Sequence, residues 1–361
     1  MTLSNDQLMA AMATVQDPDL GKDLVTLGMV REVSCTGQEV AVHVELTTPA
    51  CPMKDRIRDD IHAAIKAAAQ SAGVAEPTVD VTFTASVRGG GDSGAPLPGV
   101  RHVIAVGAGK GGVGKSSVSV NLAVGLAKLG ARVGLLDGDI YGPSLETMLG
   151  LGNTSPTARG NMLDPFEVAG IKAMTIARLV DPEKPMIWRG PMAHKAFSQL
   201  LMQTTWGELD YLFVDLPPGT GDVPLSLAQQ LPLTGAVIVC TPQRVAQDDA
   251  RRAVRMFQQL EVGILGVVEN MSWFLADDGT EYDLFGRGGA ESMAAGMNLP
   301  FLGAIPLHTS MRRHADEGTP AKNYEINDTV TTALTTLCES TAQQVSITAM
   351  SGLVQPTISV H

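Results

Sequence analysis

Apolar residues recur at two different periods along this chain, and the pattern changes character near residue 100. In the first stretch, Asp6 to Val15 has the spacing of a helix, and Asp17-Pro18-Asp19-Leu20 breaks it. Val30 to Cys35 and Val40 to Leu46 alternate as two strands about a Thr36-Gly37 turn. Ile57, Ile61 and Ile65 then fall on one helical face, and Val79 to Phe83 closes with another alternating strand. The order α-β-β-α-β predicts a compact α+β domain over residues 1–85. Residues 86–100 are a Gly/Pro-rich linker, which predicts freedom between the units it joins. From Arg101 onward, short apolar runs alternate with helical patterns: His102 to Val106, then Val118, Leu122, Leu126 and Leu129 at helical spacing, then a strand ending at Asp137. Further runs end at Asp215, at Cys240 and just before Asn270, and Phe301 to Ala304 adds another. Buried strands alternating with helices predict an α/β fold with a doubly wound, mostly parallel sheet over residues 101–340. Ligands of such sheets bind at the carboxyl edge, where these polar residues fall. Residues 341–361 lack a clear period and are expected to form a loosely held tail.

Composition narrows the partners. The 361 residues carry a formal net charge of −12, which argues against a nucleic-acid or acidic-membrane surface. There is neither a signal-like N-terminus nor a long uninterrupted apolar segment, so a cytoplasmic location is expected. Cys35, Cys51, Cys240 and Cys338 lie far apart without a C-x-x-C pair, so spacing yields no disulfide framework and no metal knuckle.

The chemistry concentrates in Gly109-Lys110-Gly111-Gly112-Val113-Gly114-Lys115-Ser116, followed by Ser117, set between a strand and a helix. Backbone N–H groups and a helix N-terminus converge there to cradle a polyphosphate. Lys115 would reach the β/γ-phosphates and Ser116 would ligate Mg²⁺. Asp137-Gly138-Asp139 places two carboxylates after a strand, one for Mg²⁺ and one to orient water. Asp215 to Gly219 has the form D-x-x-x-G, with Asp215 toward Mg²⁺ and the Gly219 N–H toward the γ-phosphate.

The lysine directly after the first glycine, Lys110, makes this loop resemble the deviant Walker A loop of the ParA/MinD class of SIMIBI ATPases. By that resemblance Lys110 reaches the nucleotide of a partner subunit, which implies a homodimer. The same class implies Asp139 as the water-orienting residue, Asn270 against the adenine edge, and Pro306 of Ile305-Pro306-Leu307 against the same base. Trp188-Arg189-Gly190-Pro191-Met192, Val214 to Asp222, Val268-Glu269-Asn270-Met271-Ser272 and Phe285-Gly286-Arg287-Gly288-Gly289 extend the likeness to the Mrp/ApbC family, P-loop ATPases proposed as iron–sulfur cluster carriers. Asp17 to Leu20, Leu27-Gly28-Met29-Val30 and Leu46 to Pro52 resemble the small metal–sulfur cluster biosynthesis domain. There, Cys51 before Pro52 sits where a helix N-terminus would lower its pKa, as a reactive or cluster-binding thiol.

The chain departs from the family between Asn270 and Phe285. The family's C-x-x-C, which holds a [4Fe–4S] cluster across the dimer, is missing from Trp273 to Leu284. Asp277, Asp278 and Asp283 stand in that stretch, where a solvated acidic loop competes with a hard-cation site. The expected activity is a slow, Mg²⁺-dependent ATPase working as a homodimeric carrier or assembly factor for iron–sulfur client proteins. The alternative is an ATP-switched scaffold that binds partners and holds no cluster. A DNA- or membrane-positioning ATPase would call for a basic patch or an amphipathic terminal helix, and neither is present.

Overall fold

The structure, a computed structural model, describes residues 2–89, 96–140, 142–152, 155–178 and 190–350. The first unit contains α1 (Asn5–Met12), β1 (Val30–Thr36), β2 (Glu39–Leu46), α2 (Lys54–Ser71) and β3 (Thr78–Ala85), in the order its sequence predicts. A capping box fixes the start of α1, with Ser4 and Gln7 exchanging hydrogen bonds. Ile57, Ile61, Ile65 and Ala69 line the buried face of α2, each fully covered, because four-residue spacing returns nearly to the same side of a helix. They pack with Val40, Val42 and Val44 of β2 into a core of their own. β2 pairs antiparallel with β1 and parallel with β3.

The second unit follows as β4 (Val100–Ala108), α3 (Lys115–Lys128), β5 (Val133–Asp137), α4 (Leu145–Met148), β6 (Ala158–Arg159), β7 (Met162–Leu163), β8 (Phe166–Val168) and β9 (Ile171–Met174). It continues with α5 (Gly190–Gln203), β10 (Leu209–Asp215), α6 (Asp222–Gln229), β11 (Leu233–Cys240), α7 (Arg244–Gln259) and β12 (Ile264–Leu275). β13 (Glu281–Tyr282), α8 (Gly289–Gly296), β14 (Phe301–His308), α9 (Thr309–Asp316) and α10 (Asp328–Met350) complete it. The main sheet runs β13-β12-β11-β4-β10-β5-β9-β8, with β14 also on β12. Among its described pairings, those of β8 and β13 are antiparallel and the others parallel.

Alternate residues of each central strand enter opposite cores. Ile104 and Val106 of β4, with Tyr211 and Phe213 of β10, face the side covered by α3 and α10. Val103, Ala105, Leu212 and Val214 face the side covered by α5, α7 and α8. Strands covered on both faces read as continuous apolar runs, which is why these were legible in the sequence.

Two expectations need correction. Residues 341–350 are not a loose tail: they are the last turns of α10, with Thr341, Ala342 and Val345 buried. The sequence there has no simple stripe because successive parts of α10 face different neighbours, Leu334 and Leu337 the sheet core and Met350 the core of the first unit. Residues 351–361 lie outside the described residues. The linker is also anchored more firmly than its glycines suggest. Val87 and Leu97 are buried, and Arg88 donates to the carbonyls of Leu27 (2.7 Å) and Gly28 (3.1 Å); Gly90 to Ala95 lie outside the described residues.

The two units meet along a seam of specific contacts. Ala50 enters the second unit's core, the Tyr211 hydroxyl donates to Thr48 (3.0 Å), and Gln343 of α10 donates to Asp19 (2.6 Å). Tyr211 stacks on His102, whose ring centroid lies 6.0 Å away. His102 Nε2 meets the Arg88 carbonyl at 2.8 Å, an acceptor only, so Nε2 carries the proton and Nδ1 accepts from Thr234 (3.2 Å). The neutral ring is thus fully satisfied, and burial pulls its pKa below 6.5. The unfolded chain binds a proton here that the folded chain refuses, so stability rises with pH across that window and falls as the pH drops below about 6.5. Urea midpoints at about pH 7.5 and about pH 5.5 should show a smaller acid loss in His102→Gln than in the wild type; equal losses would remove His102 as the source.

Candidate functional site

The glycine loop leaves β4 at the carboxyl edge of the sheet and ends at α3. Gly109 is pressed against the backbone of Asp249 and Ala250 in α7, where a Cβ would come within 2.1 Å. Gly112 (φ 80°) and Gly114 (φ 79°) are left-handed, which turns the chain so that Gly114 caps α3. Lys115 and Ser116 are therefore the first two helical residues, at the positive end of the helix dipole.

β5 and β10 are neighbours in register, so Asp137 and Asp215 end side by side, both completely buried. Asp215 Oδ1 accepts from Lys115 Nζ (2.7 Å) and from the Ser119 hydroxyl (2.7 Å), and Oδ2 accepts from the Ser116 hydroxyl (2.6 Å). Asp137 accepts from the Asp139 N–H (3.1 Å), the Thr175 hydroxyl (3.2 Å) and the Leu145 N–H (3.4 Å). Burial, and then the charge of Asp215, push Asp137 up to about 7 against the opposing pull of Lys115. Two adjoining buried carboxylates with one ammonium, plus the Ser116 hydroxyl, form a hard-oxygen donor set short of positive charge. That set fits Mg²⁺.

The remaining predicted residues fall around this centre with some changes of role. Asp139 lies at the same edge, its carboxylate accepting from the Gly142 N–H (3.2 Å); Tyr141 lies outside the described residues. Gly219 has φ 101°, but its N–H, expected to face the γ-phosphate, donates to the Ala108 carbonyl (2.9 Å). With the donor committed there, phosphate contact requires this loop to move. Pro218 of the same loop lies over Gly111.

β12 does not stop before Asn270 as its sequence suggests; it runs on to Leu275 through an irregular step at Met271, whose φ is 55°. Asn270 is buried and its amide donates to the Val113 carbonyl (2.8 Å), so here it braces the phosphate loop instead of presenting its amide to a base. Ile305 pairs with Asn270 across the sheet, which brings the buried Pro306 beside it. Lys110 is half-buried and, among the described residues, has no ion-pair partner. Of the Trp188 to Met192 string, Trp188 and Arg189 lie outside the described residues and Gly190 opens α5.

Cys51 departs furthest from expectation. α2 begins at Lys54 with Met53 as its cap, so Pro52 is not its first residue, and the pull of the Met53 N–H on the Cys51 thiol is outweighed by burial. Burial, assisted by Asp19, Asp17 and Glu339, pushes its thiol up to about 11, the opposite of activation. Cys240 and Cys338 are fully buried, and burial pushes each up to about 12. Asp277, Asp278 and Asp283 are exposed on the β12–β13 hairpin, with Asp278 closing its own turn and Asp283 paired to Arg287 (3.2 Å). Among the described residues no three His, Cys, Asp or Glu side chains form a metal-holding group.

Sequence reading missed three buried polar side chains. Ser119 and Thr175 hold the two carboxylates, and Glu269 accepts from the Ser272 hydroxyl (2.6 Å) and the N–H groups of Gly288 (2.8 Å) and Ala290 (2.7 Å), closing the base of the hairpin. Ser119 was within reach, since it stands four residues after Lys115 on the same face of α3.

Residues 99–342 match the model of the NUBPL iron-transfer P-loop NTPases. This chain belongs to that family. Residues 5–76 of this P-loop NTPase match a second model, that of iron–sulfur cluster assembly proteins. The iron-sulfur cluster carrier protein of Deinococcus radiodurans is 49% identical over 351 residues, 97% of this chain and 98% of its own. That of Synechocystis is 44% identical over 354 residues, 96% of this chain and 99% of its own. A nucleotide-binding protein of Archaeoglobus fulgidus, solved in complex with ADP, superposes with a TM-score of 0.56 at 38% identity, covering 62% of this NTPase and 88% of that chain. The cell division ATPase MinD of Pyrococcus furiosus shares the fold at a TM-score of 0.50 and 21% identity, over 66% of this chain and 97% of its own. No described helix is long and apolar enough to cross a membrane.

Proposed function

We propose that this chain is an ATP-hydrolysing homodimer that carries or assembles iron–sulfur clusters for client proteins in the cytoplasm. The observation that carries the reading is the convergence of Lys115, Ser116, Asp137 and Asp215 at the N-terminus of α3. In this reading Lys115 and Ser116 leave Asp215 when ATP arrives. Lys115 binds the β/γ-phosphates, and Ser116 with Asp137 and Asp215 holds Mg²⁺, which supplies charge neutralisation on the phosphate oxygens. Asp139 orients the water that attacks the γ-phosphorus as the bond to the bridging oxygen breaks, releasing ADP, phosphate and a proton. The backbone from Gly109 to Ser117 wraps the phosphates. Asn270 exchanges the Val113 carbonyl for the adenine edge with Pro306 beneath it, and Gly219 exchanges the Ala108 carbonyl for the γ-phosphate.

Lys110 is assigned to the partner's nucleotide, which its lack of an ion-pair partner among the described residues supports. Lys110→Ala is expected to bind ADP as the wild type does while its ATP-dependent dimerisation weakens at least about tenfold, one charge-assisted phosphate contact being lost per site. Sizing with light scattering reads the difference, and undiminished dimerisation would overturn the assignment.

The second reading, an ATP-switched scaffold that holds no cluster, is favoured by the missing C-x-x-C and by the burial that raises the pKa of Cys51. Anaerobic reconstitution with ferrous iron and sulfide, followed by iron counting, separates the two. Iron near about four per dimer supports the carrier. No bound iron, with ATP-dependent dimerisation intact, supports the scaffold.

A further inference from the structure

Among the described residues Asp215 is served by three side-chain donors on two oxygens, and two of those donors have other work to do. On the nucleotide reading above, Lys115 turns to the phosphates and Ser116 to the metal ion. Ser119 has no such alternative. It lies one turn deeper in α3, is fully buried, and faces the carboxylate from below. We propose that Ser119 is a positioning residue for Asp215: it holds Oδ1 in place when Lys115 and Ser116 depart, so that Oδ2, the oxygen Ser116 vacates, stays turned toward the metal site.

The direction of the hydroxyl proton follows from the distances. Ser119 Oγ lies 2.7 Å from Asp215 Oδ1 and 3.1 Å from the carbonyl of Lys115, and it has one proton for two acceptors. The carboxylate is the stronger acceptor and the closer one, so the proton points to Asp215. Turned toward Lys115, the proton would leave two oxygens facing each other lone pair to lone pair at 2.7 Å. In the nucleotide-free state the loss of this one bond is cushioned, because Lys115 and Ser116 still anchor Asp215. With nucleotide bound it is not cushioned: a carboxylate without Ser119 is free to rotate, and the site that would hold the metal ion loses a fixed oxygen. The effect should therefore appear in metal affinity and not in nucleotide affinity.

This inference rests on the nucleotide-site reading, and the test keeps the two apart. ADP binding to the full chain is measured by calorimetry in EDTA and then across a Mg²⁺ titration, for the wild type, Ser119→Ala and Ser119→Thr. In EDTA the three proteins are expected to bind ADP equally. The Mg²⁺ concentration giving half of the full magnesium effect should rise about tenfold in Ser119→Ala, the usual scale for losing a hydrogen bond to a charged group. Ser119→Thr, which keeps the hydroxyl, should lie within about twofold of the wild type. A Ser119→Ala curve that coincides with the wild type would overturn the proposal. So would a loss of affinity that is the same in EDTA as in Mg²⁺, which would mark Ser119 as a packing residue only. A wild type that fails to bind ADP under either condition would instead remove the nucleotide-site reading, and this inference with it.

Discussion

Alanine at Lys115 is expected to abolish nucleotide binding, with ADP affinity falling by more than about a hundredfold, as two charge-assisted contacts to phosphate are lost together. Its effect on the empty protein should be nearly as large. Lys115 is buried against Asp215 at 2.7 Å, and Asp137 lies beside that pair with no counter-ion of its own among the described residues. Removing the ammonium leaves two adjoining carboxylates with hydroxyl and amide donors only. Breaking a buried ion pair from one side costs about 3 kcal/mol. Urea unfolding should therefore show a stability loss of that order, and Lys115→Arg should recover a good part of it because the charge is retained. A Lys115→Ala protein that binds ADP normally would sink the central assignment. One that loses binding at unchanged stability would show that the carboxylates have already exchanged their charge for protons.

The fold was legible where burial is two-sided. β4, β10 and β11 carry apolar side chains into both cores, so their runs stand out without knowledge of the neighbours. The ends of α10 and β12 were not legible, for a related reason. Thr341, Ala342 and Val345 are buried by contacts set in three dimensions, and β12 passes Asn270 only because β14 and the hairpin hold it extended. The phosphate loop and both strand-end carboxylates could be read directly, since strand, glycine turn and helix fix where Lys115, Ser116, Asp137 and Asp215 must sit. What each donor does in the empty protein could not be read. Gly219 and Asn270 spend theirs on Ala108 and Val113, partners more than a hundred residues away in the case of both. Cys51 was misjudged because local spacing put a proline-led helix after it, whereas its surroundings come from Asp17, Asp19 and Glu339 in other elements.

That environment gives the second large expected effect. With its pKa near about 11, against 9.0 for an unperturbed thiol, Cys51 at neutral pH carries roughly a hundredfold less thiolate than it would in an unfolded chain. Alkylation by iodoacetamide, followed at the Cys51 peptide by mass spectrometry, should therefore run about a hundredfold slower in the native protein than in denaturant. The native rate should keep climbing with pH up to about 11, where the thiol titrates. A native rate equal to the denatured one would show that the seam does not cover this residue. The result bears on cargo, because cluster iron binds thiolate and not thiol. The loop bearing Cys51 is held by Thr48 on Tyr211, and Asp19 beside it is held by Gln343 of α10, while α3 runs from the phosphate loop at one end to the neighbourhood of Pro49 at Gly130. Repeating the alkylation with a non-hydrolysable ATP analogue thus asks whether nucleotide loosens the seam. A rate increase of about tenfold or more would make Cys51 a thiol released by ATP, and would give a carrier without C-x-x-C a ligand of its own. An unchanged rate would leave the cluster ligands to the client proteins and move the balance toward the scaffold.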